Sequence, residues 1–278
     1  MTTHHSLPVY THPIEERFTV MTTRQGMIVR TIGQGPALML FHGGRGSWAH
    51  WLRNIDELSQ HYTLYLPDLP SFGQSGTIPK ETSMDDYISH VIEMIKEVFP
   101  DNQPFYLAGF SFGGMTAAGV ASQLGPQVLR LSLLGPAGFR KGLSKPEGAL
   151  SLHEGMTLDE ERAVHKNNLI VMQFAQPETA CEDTITIQHY NIKYARFNSL
   201  KPSFLCSLDD YLKDVTSPLQ IILANQDAYM AVGKEESVAR LQRIQPTMRM
   251  DYIEGAGHWA QYEAPETYNK LLLDFLET

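Results

Sequence analysis

Tyr106-Leu107-Ala108-Gly109-Phe110-Ser111-Phe112-Gly113-Gly114 is the stretch that decides how this chain reads. The apolar run Phe105 to Ala108 predicts a buried strand, and Met115 to Leu124 predicts a helix. Gly-x-Ser-x-Gly at the junction is the pattern of a nucleophile elbow. The turn is so tight that the serine adopts a strained backbone conformation and its hydroxyl stands up at the edge of the sheet. Gly109 and Gly113, two residues before and two after, lack the Cβ atoms that would collide there. The helix that follows aims its free N–H groups and positive dipole end at the same spot. A serine that merely caps the helix is the alternative, so the rest of the chain must supply a base, an acid and an oxyanion hole.

Upstream, Phe18 to Thr22 and Met27 to Ile32 alternate like strands around a turn at Arg24-Gln25-Gly26. Ala37 to Phe41 is a continuous apolar run, predicting a strand buried on both faces, and it ends in the glycine-dense loop His42-Gly43-Gly44-Arg45-Gly46-Ser47. Trp48 to Leu58 predicts a helix and Tyr62 to Leu66 a strand, followed by the compact loop Pro67 to Ser75. Ser83, with Asp86 three residues on, predicts a helix start; Ile88, Val91, Ile92, Ile95 and Val98 then repeat at helical spacing. Downstream, Val128 to Leu134 predicts another buried strand, and the alternation breaks at Gly138. It resumes with a strand at Leu219 to Leu223, a helix at Lys234 to Ile244, a strand at Arg249 to Ile253 and a closing helix at Ala264 to Leu276. Alternating strands and helices predict an α/β fold with a mostly parallel central sheet and helices on both faces. The expected organisation is a core of residues 1–138 and 213–278, with residues 139–212 inserted as a helical cap.

The 278 residues carry a net charge of −9 with 42% hydrophobic and 19% charged residues, an ordinary globular composition. No basic run stands out, which argues against nucleic acid as a partner and against an anionic membrane surface. The N-terminal Met1 to Tyr10 has no apolar stretch, so no signal peptide is expected, and no run approaches the roughly 18 apolar residues of a membrane span. A cytoplasmic protein is the expectation. Cys181 and Cys206 have no metal-ligand spacing, and the histidines form no metal-binding cluster, so neither a disulfide, a metal nor another cofactor is expected. The partner would be a small molecule; self-association into a homo-oligomer stays open.

Functional residues of an open α/β sheet gather at the carboxyl ends of its strands. Three such ends carry the right chemistry: Ser111 after the elbow strand, Asp227 after Leu219 to Leu223, and His258 in Gly255-Ala256-Gly257-His258-Trp259. The order Ser, Asp, His is that of hydrolases built around this elbow. His42-Gly43-Gly44, Asp68 to Ser75, the elbow, Asp227 and Gly257-His258-Trp259 together resemble the α/β-hydrolase superfamily over essentially the whole chain. The Gly-Arg-Gly-Ser-Trp loop and the segment from Gly255 to Glu263 look like the hydrolases of aromatic meta-cleavage products, which split a carbon–carbon bond beside a ketone. Two departures stand out: Phe110 occupies a position where that subfamily has asparagine, and its carboxylate-binding cap arginine has only Lys193 or Arg196 as counterparts.

The resemblance implies an α/β-hydrolase fold and a cofactor-free serine hydrolase. In it His258 takes the Ser111 proton, Asp227 holds the imidazole, and the Gly44 and Phe112 N–H groups receive the oxyanion. Substrate contacts are expected from Arg45, Phe110, Lys193, Arg196 and Trp259. Met156, His165, Met172, Phe174, His189, Tyr190, Tyr194 and Phe197 suggest an apolar, partly aromatic pocket of which about a third touch substrate. His42 and Asp68 read as loop-pinning residues. An ester or related carbonyl compound is the leading substrate class. Carbon–carbon cleavage, a ligand receptor on the same fold and a cofactor-free haloperoxidase-like activity remain as alternatives.

Overall fold

A computed structural model describes residues 12–139, 146–229 and 234–278. Eight strands form its sheet: β1 (Thr19–Thr22), β2 (Ile28–Ile32), β3 (Ala37–Phe41), β4 (Thr63–Pro67), β5 (Phe105–Phe110), β6 (Val128–Leu134), β7 (Leu219–Ala224) and β8 (Arg249–Ile253). Their order is β1-β2-β4-β3-β5-β6-β7-β8. β1 pairs antiparallel with β2, and β2 with β4; every pairing from β4 through β3 to β8 is parallel. Chain order reverses between β3 and β5, which lie side by side, and a crevice at such a reversal is where open sheets bind ligands. The register brings Phe41 level with Gly109 and Gly109 level with Leu133, so the loops after β3, β5 and β6 emerge together.

Side chains alternate across the sheet, as period-two geometry requires. Met39, Phe41, Leu107, Leu133 and Ile221 pack against the helices Met84–Val98 and Phe112–Leu124. Leu40, Ala108, Leu134 and Ile222 face the other way, onto Trp48, Trp51 and the helix Pro265–Glu277. Each fully buried large apolar side chain contributes on the order of 1.5–3 kcal/mol, so both layers hold the sheet that carries the loops. Ser83 Oγ caps the helix Met84–Val98 by accepting from the Asp86 N–H at 3.1 Å. Val91, Ile92 and Ile95 form its buried stripe, with Val98 only partly covered.

One expected element differs. The stretch Trp48 to Leu58 is a 3-10 turn, Trp48–Trp51, and a four-residue helix, Ile55–Leu58, rather than one continuous helix. Tertiary partners compete with the helical ladder: the Trp48 N–H donates to Asp68 Oδ1 at 3.0 Å, and Asn54 Nδ2 donates to the Gln261 carbonyl at 2.9 Å and to Asn269 Oδ1 at 2.8 Å. The elbow strand also runs two residues further than its apolar run, to Phe110.

Between β6 and β7 the described residues form helices at Leu158–Asn168, Glu182–Lys193, Leu200–Leu205 and Asp209–Leu212, a π-helical turn at Leu169–Gln173, and no strand. No helix among the described residues is long and apolar enough to cross a membrane.

Candidate active site

Ser111 sits at the junction of β5 and the helix Phe112–Leu124 with φ 53° and ψ −119°, a conformation an L-residue adopts only under constraint. Backbone contacts hold it there. Its N–H donates to the Leu134 carbonyl at 2.9 Å, and its own carbonyl accepts from the Gly114 and Ala137 N–H groups, each at 2.9 Å. A Cβ on Gly109 would stand 2.5 Å from the Gly113 carbonyl oxygen, so the two glycines permit the turn.

His258 is reached by the loop after β8 and faces both expected partners. Its Nδ1 lies 2.7 Å from Asp227 Oδ2, and its Nε2 lies 2.9 Å from Ser111 Oγ. A carboxylate only accepts, so Nδ1 carries the proton and Nε2 is left to accept the serine hydroxyl proton. Asp227 Oδ1 accepts from the Tyr229 N–H at 2.8 Å, which fixes the carboxylate in turn. The three side chains, far apart in sequence, form one hydrogen-bonded line.

The loop bearing His258 is tied down by the last residue of the segment from Gly255 to Glu263, a residue to which the sequence assigned no role. Glu263 accepts from the Gly257 N–H at 2.6 Å and also from the Ala175 and Gln176 N–H groups at 3.1 and 2.6 Å. It joins the histidine loop to the segment between β6 and β7. Its sequence signal is its place at the end of that segment, a carboxylate five residues beyond His258. Tyr229, whose ring stands edge-on to His258 at 4.7 Å, was likewise passed over. Burial first, and then the nearby Asp227 carboxylate, push its phenol up to about 12, so it stays protonated.

A cavity of about 960 Å³ opens over Ser111 and His258. Gly44, Arg45, Phe110 and Phe112 belong to its wall. Among the described residues, neither the Gly44 nor the Phe112 N–H donates to a protein acceptor. Arg45 takes a φ of 51° and has no carboxylate partner among the described residues. Burial lowers its pKa somewhat, and Tyr229 lies close to it. Phe110 packs its ring 4.9 Å from that of His258.

Three expected substrate contacts are placed differently. Lys193 is exposed and forms no part of the wall. Arg196 reaches the wall, but its guanidinium is occupied by Thr77 Oγ1 at 3.0 Å and by the carbonyls of Gly73, Tyr194 and Ser75. It fastens the Asp68 loop to the segment between β6 and β7. Trp259 is buried away from the cavity, donating from Nε1 to the His50 carbonyl at 2.9 Å and stacking on Phe174. Of the aromatic and sulfur side chains expected in the pocket, His165, Met172 and Phe197 line it; Met156, Phe174, His189, Tyr190 and Tyr194 do not.

His42 and Asp68 are loop residues, as their positions suggested. Asp68 is buried, pairs with Arg30 at 3.0 Å and accepts from the Gln74 N–H at 3.0 Å. Among the described residues, no group of three or more His, Cys, Asp or Glu side chains could hold a metal ion.

With this geometry in place, the match to known proteins is specific: residues 38–271 fit the alpha/beta hydrolase family. The chain belongs to that family. It is 28% identical, over 86% of each chain, to 2-hydroxy-6-oxononadienedioate/2-hydroxy-6-oxononatrienedioate hydrolase of Paraburkholderia phymatum. It is 25% identical to monoacylglycerol lipase ABHD6 of Bos taurus, over 88% of this chain and 76% of the lipase. Among solved structures it resembles the esterase RhEst1 from Rhodococcus sp. ECU1013, with a TM-score of 0.74 and 16% identity over 94% of this chain and 99% of the esterase. This hydrolase therefore shares its fold with an esterase, and its related sequences include both a 2-hydroxy-6-oxononadienedioate hydrolase and a monoacylglycerol lipase.

Proposed function

We propose that this hydrolase acts on a small, largely apolar ester or related carbonyl compound by acyl transfer to Ser111. One observation carries the reading: the unbroken line from Asp227 through His258 to Ser111 Oγ. As Oγ attacks the carbonyl carbon, His258 Nε2 takes its proton, and Asp227 stabilises the imidazolium that results. The Gly44 and Phe112 N–H groups receive the oxygen that becomes negative, an interaction typically contributing about 2.7–4 kcal/mol per donor. The imidazolium then returns the proton to the leaving group, and water repeats the sequence on the acyl-enzyme. Residues 139–212, of which 140–145 lie outside the described residues, act as a cap over the cavity. Leu150, Leu152, Met172, Ile192 and Phe204 support an apolar substrate. The reading carries with it a cytoplasmic enzyme that needs no cofactor. Its test is Ser111→Ala assayed on p-nitrophenyl butyrate. Turnover should vanish while the circular dichroism spectrum and melting temperature stay as they were; retained turnover defeats the serine mechanism.

Arg45 favours a second reading, in which the substrate bears a carboxylate and a carbon–carbon bond breaks. An arginine in the cavity wall with no carboxylate partner among the described residues suits an acid, and the Paraburkholderia relative is named for a dioate. If Arg45 binds such a group, Arg45→Gln should lower kcat/KM for a meta-cleavage acid by about tenfold or more and change that of a neutral ester little. Equal effects on both substrates would remove the second reading.

A further inference from the structure

Gly43 is gripped from two sides by buried histidines. His42 Nδ1 lies 2.7 Å from the Gly43 carbonyl oxygen, and the Gly43 N–H donates to His50 Nδ1 at 3.1 Å. A carbonyl oxygen only accepts, so His42 carries its proton on Nδ1; its Nε2 accepts from the Leu69 N–H at 2.9 Å. An amide N–H only donates, so His50 must be bare at Nδ1 and protonated at Nε2. The two rings are opposite tautomers, and both are neutral. Burial, the largest cause, lowers both pKa values; Asp68 partly opposes it at His42, while His42 and His258 add to it at His50.

The consequence lies one peptide further on. A trans peptide is planar, with its C=O and N–H pointing opposite ways. Holding the Gly43 oxygen on one side therefore sets the direction of the Gly44 N–H on the other, where Gly44 lines the cavity beside Ser111. The loop is shaped around this arrangement: a Cβ on Gly46 would stand 2.6 Å from His50 Nδ1 and 2.7 Å from the Gly43 oxygen. We propose that His50 is a positioning residue of the oxyanion hole, whose bare Nδ1 works with the opposite tautomer of His42 to hold Gly43 and so aim the Gly44 N–H. The proposal rests on the Ser111 reading above.

Its first test needs no turnover. Long-range 1H–15N correlation spectra of the unaltered full chain should show an unprotonated Nδ1 and a protonated Nε2 at His50, and the reverse at His42. A protonated His50 Nδ1 at neutral pH overturns the proposal. The second test compares His50→Phe, which keeps a ring but offers no acceptor, with His50→Asn, which returns an acceptor near the Nδ1 position. His50→Phe should lower kcat on p-nitrophenyl butyrate about tenfold, less than the roughly 10²–10³ lost with a whole oxyanion donor. KM should stay within about twofold, and affinity for a trifluoromethyl ketone that adds to Ser111 should weaken in step with kcat. His50→Asn should restore both to within about threefold. A loss confined to KM, or an Asn variant as impaired as the Phe variant, would show that His50 only fills space or contacts substrate. Where His50→Phe does not fold, the tautomer spectrum and the Asn variant decide. Turnover surviving Ser111→Ala sinks the functional reading instead and leaves the tautomer result untouched.

Discussion

Two histidines, His258 and His165, stand in the wall of one cavity, both nearly buried, and their surroundings fit them for different work. His258 has a carboxylate at 2.7 Å on one ring nitrogen and a serine hydroxyl at 2.9 Å on the other. His165 has another imidazole, His189, edge-on at 5.4 Å. Burial above all, then His189 and Arg162, lower its pKa to about 4, so it is neutral through the physiological range. Burial alone makes a histidine a poor proton carrier because nothing stabilises the cation. A facing carboxylate reverses that by holding the tautomer and receiving the positive charge. The partners, more than the depth, separate the proposed base from a wall residue.

The largest loss is expected at the serine and the histidine that faces it. Ser111→Ala or His258→Ala should lower kcat for ester hydrolysis by about 10⁶-fold, read against a melting temperature that barely moves. Asp227→Asn leaves the geometry but frees the wrong tautomer, so a loss of about 10⁴-fold is expected in the same assay. An Asn variant with near-normal activity would mean that the carboxylate does not orient the base.

Glu263 supports His258 from outside the line of three. Replacing it with alanine leaves the Gly257, Ala175 and Gln176 N–H groups without their charged acceptor. Losing hydrogen bonds to a charged group should cost about 1.5–3 kcal/mol of stability, visible in urea unfolding. Because Gly257 precedes His258, kcat should also fall, by about tenfold. Lost stability with unchanged kcat would show that the histidine loop needs no such anchor.

The sheet and the three side chains were legible in the sequence for one physical reason: each is written locally. Ala37 to Phe41 is apolar at every position because both faces are covered, and Gly109 and Gly113 are glycine because the turn excludes a Cβ. Ser111, Asp227 and His258 each follow a strand whose end is predictable, and parallel pairing brings those ends together. What was not legible depends on contacts distant in sequence. Arg196 looked like a substrate anchor until its guanidinium met the carbonyls of the Asp68 loop more than a hundred residues away. Trp259 sits next to the histidine yet turns its indole onto His50 and Phe174. Trp48 to Leu58 has helical spacing, but Asp68, Gln261 and Asn269 claim the polar groups that a continuous helix would arrange otherwise. Glu263 closes a recognisable segment, but its anchoring role is not written there, because its three donors come from two separate segments.

The smallest effect on turnover is expected at His165, and there stability carries the signal. An unfolded histidine titrates near 6.5, whereas folded His165 does so at about 4. Between those values the unfolded chain binds more protons, so stability falls as pH drops from 6.5 toward 4 and is unaffected above that window. His165→Phe removes the titrating ring while keeping an aromatic side chain in place. Melting temperature plotted against pH should then fall less steeply on the acid side than in the unaltered protein. Some slope should persist, because His189 is also lowered by burial, with Glu161 opposing and Lys193 and Arg162 adding. At neutral pH, kcat should stay within about threefold, since a residue with no carboxylate or hydroxyl partner among the described residues is not placed to carry a proton in the reaction. A collapse of kcat on the scale expected for His258 would mean that the two histidines are not as different as their neighbours make them.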